Sequence, residues 1–435
     1  MSDPNLVQQM RADWNKRAAE DAYYYVAFGR RGQGDQEFFD SAADVVHALE
    51  AELKRLPAAD RRSRRALEIG CGPGRLMRPM SWNFGEIHGV DVSDEMIRLA
   101  KKKLKDTPNA FPRATDGTDL SCYADEFFDF VYSYAVFQHI PSAEVVFSYL
   151  VEAWRVLKPG GILRCQINSL PKTAKHYTTW EGVRISAGEV AEFASEHDFQ
   201  LMAMEGLGTQ YMWVTMRKQP KGWFSALVAN PPRSTARIRN IVNAHSGEPI
   251  VPVRGRFACM GIWIEEMPED CDLNQIDIEV EGEQAAPIYI GPSAFPGLWQ
   301  LNAIMPEKGR TGLLPVEIFW FGQPLCEPAW MRVAPAGPAV PRLTSLNDGV
   351  NLLSGSRITS RSVKLFLEEL AEPELLEVRV DGAVIEDLDV FCKDPVNERF
   401  EITFTLPDAV GAGTHSVELR LGARLFPSVK IEVMG

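Results

Sequence analysis

At 435 residues the chain exceeds one ordinary domain, and two or three are expected. Its net charge of −13 opposes a duplex nucleic-acid binder held by phosphate contacts, and its seven cysteines, scattered without a C-x-x-C pair, exclude a disulfide framework and a zinc pattern. No apolar run reaches the ~18 residues of a membrane span, so no membrane contact is expected and a reducing cytoplasm is the expected location.

Residues 1–60 read as helical. Asn5 to Tyr25 is polar with embedded aromatics (Trp14, Tyr23, Tyr24, Tyr25, with Phe28 following), and Gly29 to Gly34 is a loop. Phe38, Ala42, Val45, Leu49, Leu53 and Leu56 then recur at helical spacing and stop before Pro57.

From residue 66 strands and helices alternate, which predicts a parallel sheet covered on both sides. The stretch Ala66-Leu67-Glu68-Ile69-Gly70-Cys71-Gly72-Pro73-Gly74 is a buried strand entering a glycine-rich turn. Glycines at alternate positions let the backbone approach a ligand without a Cβ in the way. A short helix follows from Arg75, kinked or shortened by Pro79. Strand 86–91 ends at Asp91, where a doubly wound sheet holds a ribose. Ser93 is the expected N-cap of a helix over Asp94–Lys105, with Met96, Leu99, Ala100 and Leu104 as its buried stripe. A short strand near 111–113 precedes the turn Asp116-Gly117-Thr118-Asp119.

Next come a strand around Phe128–Ser133, a helix Ser142–Leu157, the tight turn Lys158-Pro159-Gly160-Gly161 and the buried strand Ile162–Ile167. The connection 169–190 carries His176, Tyr177, Trp180 and Glu181, and connections at this end of a sheet build substrate pockets. A helix over Ala187–His197 and an antiparallel pair, Phe199–Gly206 and Gln210–Met216, close the domain near Lys218. The spacing G-x-G-x-G, with Glu68 ahead of it, differs from the G-x-G-x-x-G of dinucleotide sites, and a carboxylate there repels a pyrophosphate.

Glu68-Ile69-Gly70-Cys71-Gly72-Pro73-Gly74-Arg75 resembles the first motif of class I S-adenosylmethionine-dependent methyltransferases, in their small-molecule type 11/25-like branch. Phe127 to Pro141, which contains Phe-Asp-x-Val-x-Ser and Val-Phe-x-His-Ile-Pro, resembles their fourth strand and following turn. Leu157-Lys158-Pro159-Gly160-Gly161 resembles the turn before their fifth. The resemblance covers residues 66–168. It implies a Rossmann-like seven-stranded sheet and S-adenosyl-L-methionine as cofactor, with S-adenosyl-L-homocysteine as product. The implied cofactor residues are Glu68, Gly70, Cys71, Gly72, Gly74, Asp91 (ribose), Val92, Met96 (beneath adenine), Asp116, Gly117 and Thr118 (adenine edge), with Ser133 and Tyr134 bordering the methyl group. The segment before the first motif is expected to lie over the cofactor as a lid, with Tyr24 or Tyr25 facing the sulfonium or these tyrosines simply forming the lid's apolar face. Base methylation of nucleic acid is disfavoured, because Ser133-Tyr134-Ala135-Val136 stands where that branch carries Asn-Pro-Pro-Tyr or Asp-Pro-Pro-Tyr.

Methyl transfer is an in-line displacement that asks the enzyme mainly to align the nucleophile and exclude water. Candidate bases are His139, Tyr134 and His176. For His139, a hydrogen bond that merely holds the turn is an equal reading. No metal set is apparent. The expected acceptor is an O or N of a small molecule or glycan-like compound. A scaffold with an idle methyltransferase fold, acting through its C-terminal half, is the competing expectation.

From Gln219 the composition changes. Residues 219–249 read as a linker, and two all-β immunoglobulin-like sandwiches are expected at 250–335 and 341–435, split near Pro335–Pro341. Ala286–Pro292, Gly297–Asn302 and Gly312–Val316 resemble a bacterial TIG-like repeat. Trp299, Trp320 and Trp330 are expected either to fill sandwich cores or to stack on a carbohydrate partner.

Overall fold

The computed structural model describes residues 4–27, 31–172, 174, 176–255, 257–337, 340–350, 355–370, 372–394 and 398–434. Phe28, Gly29 and Arg30 of the N-terminal aromatic cluster and loop lie outside the described residues. The chain divides into two compact units, one of residues 1–19 and 39–337, the other of residues 20–38 and 338–435. No helix among the described residues is long and apolar enough to cross a membrane.

The N-terminal region is helical, as its pattern predicts. Helix α1 spans Pro4–Ala27 and is broken at Asp21, whose φ of −166° and ψ of 86° are not helical. The Asp21 carboxylate accepts from the amide of Tyr24 at 3.1 Å and so caps the segment that restarts there. Two short helices follow, α2 (Asp35–Asp40) and α3 (Ala43–Glu50), the latter burying Val46 and Leu49.

The first unit contains the expected α/β sheet. Its elements are β1 (Arg65–Ile69), α4 (Met77–Met80), β2 (Glu86–Asp91), α5 (Asp94–Lys103), β3 (Ala110–Ala114), β4 (Phe128–Ser133), α6 (Ala143–Val156), β5 (Leu157–Ile167), α7 (Ala187–Glu196), β6 (Phe199–Glu205) and β7 (Met212–Lys218). The strand order is β3-β2-β1-β4-β5-β7-β6. The first five strands of that order run parallel and β7 runs antiparallel between β5 and β6.

Successive residues of the central strands enter opposite cores. Leu67, Ile69, Val131 and Leu163 belong to one and Ala66, Phe130, Tyr132 and Ile162 to the other, the pattern of a sheet covered on both faces. In register, Glu68 lies opposite Tyr132 and Ile69 opposite Val90, so the glycine turn, Asp91 and Ser133 emerge at one edge. The Ser93 hydroxyl caps α5 at the amide of Met96, 3.1 Å away. Asp94 and Glu95 in its first turn and Lys101 to Lys103 in its last match the helix dipole.

Residues 219–249 are not a linker. They contain α8 (Trp223–Ala229) and β8 (Arg237–Asn243). The region after them is not a separate sandwich either. It comprises β9 (Ile250–Pro252), β10 (Cys259–Glu265), β11 (Ile276–Val280), β12 (Glu283–Pro292), β13 (Leu298–Ile304), β14 (Gly312–Trp320), β15 (Gln323–Pro324) and β16 (Ala329–Ala334).

Strand β12 pairs with β6 through Tyr289 and Ala203, so these strands continue the α/β sheet and share its core. Two buried groups secure the joint. The Asp272 carboxylate accepts from the backbone N–H of Leu201 on β6. Arg55 donates to the carbonyl of Ile290 at 2.7 Å while its Nε pairs with Glu52. Of the three tryptophans, Trp320 is buried, Trp299 is half-buried against the core and Trp330 is 63% exposed.

Among its described residues the second unit carries ten strands: β17 (Arg342–Asp348), β18 (Arg357–Ile358), β19 (Ser362–Glu368), β20 (Leu376–Val380), β21 (Ala383–Ile385), β22 (Asp389–Asp394), β23 (Arg399–Thr405), β24 (Gly413–Leu421), β25 (Arg424–Leu425) and β26 (Val429–Val433). They form a four-stranded and a six-stranded sheet. Leu365 and Ile402 from one and Val378, Val417 and Ile431 from the other fill a common core. Among the described residues this unit is all-β after residue 340 apart from one short 3-10 turn, as its alternating pattern predicts.

Candidate functional site

Strand β1 delivers the chain into the turn Gly70–Gly74, where all three glycines have positive φ (74°, 50° and 87°). The amides of Gly70 and Cys71 donate to the carbonyl of Val90 at 2.8 and 3.0 Å, which fastens the turn to the end of β2. The Gly72 amide donates to Asp91 Oδ2 at 2.9 Å and the Ser93 amide to Asp91 Oδ1 at 2.8 Å. Burial pushes the Asp91 carboxyl up to about 6, against the pull of the Ser93 and Gly72 amides. The expected reason for Gly70 is incomplete. A Cβ there would lie 2.3 Å from Val136 Cγ2, so this glycine makes room for the turn after β4.

Glu68 is buried on β1 and accepts from the Tyr132 hydroxyl at 2.9 Å. Desolvation raises its carboxyl to about 8; the Tyr132 hydrogen bond and the Arg75 cation oppose the rise, and the Asp91 charge adds to it. Arg75, quoted in the first motif but given no role there, is buried and donates to the Ser41 carbonyl at 3.1 Å. Its guanidinium lies 5.4 Å from the centroid of the Tyr134 ring, and that ring stacks on Trp213 at 5.8 Å. Tyr134 therefore neighbours both Arg75 and Trp213. The Ser133 hydroxyl donates to the Ile69 carbonyl at 3.0 Å, so it is used to join β4 to β1. The Cys71 thiol is buried, which raises it well above its ordinary range.

The Asp116 carboxylate accepts from the amide and hydroxyl of Thr118 at 3.0 and 2.9 Å and is otherwise exposed. Gly117 follows with a φ of 90°, and a Cβ on it would lie 2.7 Å from Val92 Cγ2. Val92, Gly117 and the turn around Asp116 thus stand together beside Asp91, while Met96 is buried beneath the first turn of α5.

The first part of α1 reaches these same loops. Arg11 donates to the Thr115 carbonyl at 2.7 Å and lies 3.7 Å from Asp94. Asn15 Oδ1 accepts from the Ser93 hydroxyl at 2.7 Å and from the Glu95 amide at 3.2 Å. Asp13 accepts from the Thr179 hydroxyl at 2.7 Å, and Arg17 donates to that oxygen at 3.2 Å. Asn15, Arg11 and Thr179 carry no motif that marks them in the sequence.

His139 follows β4 and is buried. Its Nδ1 lies 2.8 Å from the Trp180 carbonyl. A carbonyl only accepts, so Nδ1 carries the proton. Burial drives the ring down to about 4, so it is neutral and its lone pair is on Nε2. Trp14 meets the ring edge-on at 5.5 Å and Trp180 lies 5.4 Å away. The Arg17 guanidinium stands 4.7 Å from Trp14 and 5.3 Å from Trp180. His176 is exposed on the same connection as Trp180. Tyr24 belongs to the second unit, where Arg31 lies 4.4 Å from its ring centroid.

The α4 helix after the glycine turn has four residues, too few to present a dipole to a pyrophosphate. The order of the strands, the turn tied to Asp91 and the buried Glu68 together narrow the family. Residues 67–165 match the Methyltransferase domain family.

The chain is 37% identical over 98 residues to phosphoethanolamine N-methyltransferase 2 of Caenorhabditis elegans, covering 22% of each chain. It is 32% identical over 110 residues to a ubiquinone biosynthesis O-methyltransferase of Cereibacter sphaeroides, covering 25% of this chain and 43% of that one. It is also 32% identical over 105 residues to a trans-aconitate 2-methyltransferase of Rhizobium rhizogenes, covering 24% and 38%. The chain spans less than half the length of each of these relatives.

Proposed function

We propose that this chain is an S-adenosylmethionine-dependent methyltransferase that methylates an O or N of a small-molecule or glycan-like acceptor. The observation that carries this reading is the single unit made by the glycine turn, Asp91 and the buried Glu68 at the sheet edge. The site suits the cofactor: its two carboxyls, pushed up by burial, would be drawn into their ionised forms by ribose hydroxyls and a nearby cation, whereas a diphosphate would hold them protonated. The three relatives differ in acceptor by their names, and their matches cover 22–25% of this chain.

When bound, the cofactor supplies an electrophilic methyl group on a sulfonium. Asp91 would take the ribose hydroxyls, Met96 would pack beneath the adenine, and Asp116 with Gly117 and Thr118 would meet its edge. Glu68 would orient the amino end. The first part of α1 excludes water from the reacting centre, which strengthens every charge inside it. His139 Nε2 is the base that takes the acceptor's proton, with its tautomer set by the Trp180 carbonyl.

The test is calorimetric titration of the full chain with S-adenosylmethionine and S-adenosylhomocysteine, with NAD as control. Micromolar binding of the first two and none of NAD is expected. Absence of binding by both adenosyl compounds overturns the reading.

A further inference from the structure

The α/β sheet has a second end, away from the glycine turn. Arg61, Arg62 and Arg64 stand just before β1 and Trp82 just before β2, at the starts of strands whose other ends carry the glycine turn and Asp91. The length of β1 puts about 16 Å between the two ends. Trp82 is 75% exposed, and its ring meets no other ring or cation among the described residues.

The loops that present these side chains are firmly built. A Cβ on Gly85 would lie 1.9 Å from the Arg62 carbonyl, so a glycine is what lets the two loops meet. The Gly85 amide donates to the Arg64 carbonyl at 3.0 Å. Asp60 caps the turn Arg61–Ser63 through the Arg62 amide at 2.9 Å. Arg61 donates to the Trp82 carbonyl at 3.2 Å, and Asn109 donates to the carbonyls of Ser81 and Phe84 at 2.9 and 3.0 Å. The backbone around Trp82 is thus fastened from two sides while its indole stands in solvent. Such exposure is unfavourable, and a fastened loop cannot fold the ring away.

The surrounding charge is positive. Arg78 lies four residues before Trp82 on the same helical run and adds a fourth cation, 4.7 Å from the Phe39 ring centroid. Among the described residues none of Arg61, Arg62, Arg64 and Arg78 is in an ion pair, whereas Arg65 pairs with Glu86 at 2.9 Å. Two carboxylates bind within these loops, Asp60 at the Arg62 amide and Glu50 at the Asn83 side chain, so four cations face two anions. On a chain of net charge −13 this end can approach an anionic surface. A single-stranded nucleic acid asks for a groove with successive rings, and here one ring stands among cations. Indoles favour the headgroup level of a bilayer, and arginines beside them meet lipid phosphates.

We propose that this end docks peripherally on an anionic lipid surface, with Trp82 entering the headgroup level and Arg61, Arg62, Arg64 and Arg78 meeting lipid phosphates. The expectation of no membrane contact rests on the lack of a spanning run, which a surface contact does not need. On the methyltransferase reading above, docking by this end turns the glycine turn and Asp91 away from the lipid, and the acceptor reaches the site from the water side.

The experiment is co-sedimentation of the full chain with vesicles of phosphatidylcholine alone and of phosphatidylcholine with about one-third phosphatidylglycerol. The parent is expected to bind the second and not the first, and to be released at ~0.5 M salt. Trp82→Ala and the double variant Arg61→Gln/Arg62→Gln should each bind roughly tenfold more weakly, at melting temperatures that report their folding. Failure of the parent to bind anionic vesicles, or parent-like binding by both variants, overturns the docking. Anisotropy with a labelled oligothymidylate is the further arm: tight binding there that Trp82→Ala abolishes, without vesicle binding, gives this end to nucleic acid and overturns the proposal. Calorimetry with S-adenosylhomocysteine on the same proteins keeps the two readings apart. Its failure in the parent overturns the methyltransferase reading and leaves vesicle binding standing.

Discussion

The amide of Gly72 donates to Asp91 Oδ2 at 2.9 Å, while the amide of Ser93 occupies the other oxygen of the same carboxylate. The turn after β1 and the first turn of α5 are thus held by one side chain. A residue expected to contact a ligand is also the joint that shapes the site.

Replacing that joint separates its two roles. Asp91→Ala is expected to weaken S-adenosylhomocysteine binding by about 1.5–3 kcal/mol, the scale of charge-assisted hydrogen bonds, and to lower stability through two unpaired amides. Asp91→Asn keeps one accepting oxygen and should melt closer to the parent while still binding poorly. Asp116→Ala removes a local turn contact and one contact to the adenine edge, both at an exposed residue, and should cost less affinity than either. Calorimetric titration with parallel thermal melts checks all three. Parent affinity in Asp91→Ala removes Asp91 from the site.

Glu68 and Asp91 give the site a pH signature. Their folded values, about 8 and about 6, lie above the ordinary 4.5 and 3.8. For a raised carboxyl the folded chain holds more protons than the unfolded chain between the two values. Its contribution to stability is therefore lost as pH climbs through that window. A ligand that offers hydroxyls and a cation favours the ionised forms, so binding expels protons. Affinity for S-adenosylhomocysteine is expected to rise from pH 5 to 8. At pH 7 the binding enthalpy should differ between phosphate and Tris buffers. Equal enthalpies in both sink the assignment.

Features written in local chemistry were legible in the sequence. Ser93 as N-cap, the acidic and basic ends of α5, the glycine turn and the acid closing β2 each follow from neighbours a few residues away, and all stand where expected. The joint between β6 and β12 was not legible, because the pairing of Tyr289 with Ala203 is a matter of register between distant strands. Residues 219–249 read as a linker by composition, yet α8 and β8 lie within them, because their packing partners are distant in sequence. Gly70 was readable as a glycine that something must approach, but the sequence does not say that Val136 is what approaches. Asn15 is one polar residue on a polar helix, and only its partners give it meaning.

His139 predicts a pH effect of opposite sign. Its folded value, about 4, lies below the ordinary 6.5. Between those values the unfolded chain holds more protons, so this residue's contribution is lost as pH falls from 6.5 toward 4, by up to ~3 kcal/mol. Denaturant unfolding of the parent and His139→Gln at pH 7 and pH 5 isolates the term from the carboxyls. The gap between the two proteins should shrink on acidification. A constant gap means the imidazole is not held neutral.

The joint at Arg55 carries the last prediction. Its side chain is fully buried, its Nε pairs with Glu52, its Nη1 donates to Ile290, and its guanidinium lies 4.8 Å from the Tyr289 ring centroid. Removing the arginine leaves the Glu52 carboxylate buried without its cation, which costs about 3–5 kcal/mol. Arg55→Met is therefore expected to be strongly destabilised. Gly291→Ala should follow it, since a Cβ there would sit 2.4 Å from Arg55 Nη1. By the same reasoning a chain cut after Lys218 loses Ile290, Tyr289 and Asp272. It bares the β6 edge, where Leu201 and Met202 are fully buried in the intact protein, and an apolar unpaired edge aggregates. Such a chain should be insoluble or lack a cooperative melt, whereas one ending at Gly337 should melt cooperatively. Cooperative melting with S-adenosylhomocysteine binding by the chain ending at Lys218 would make the later strands an accessory rather than part of the fold.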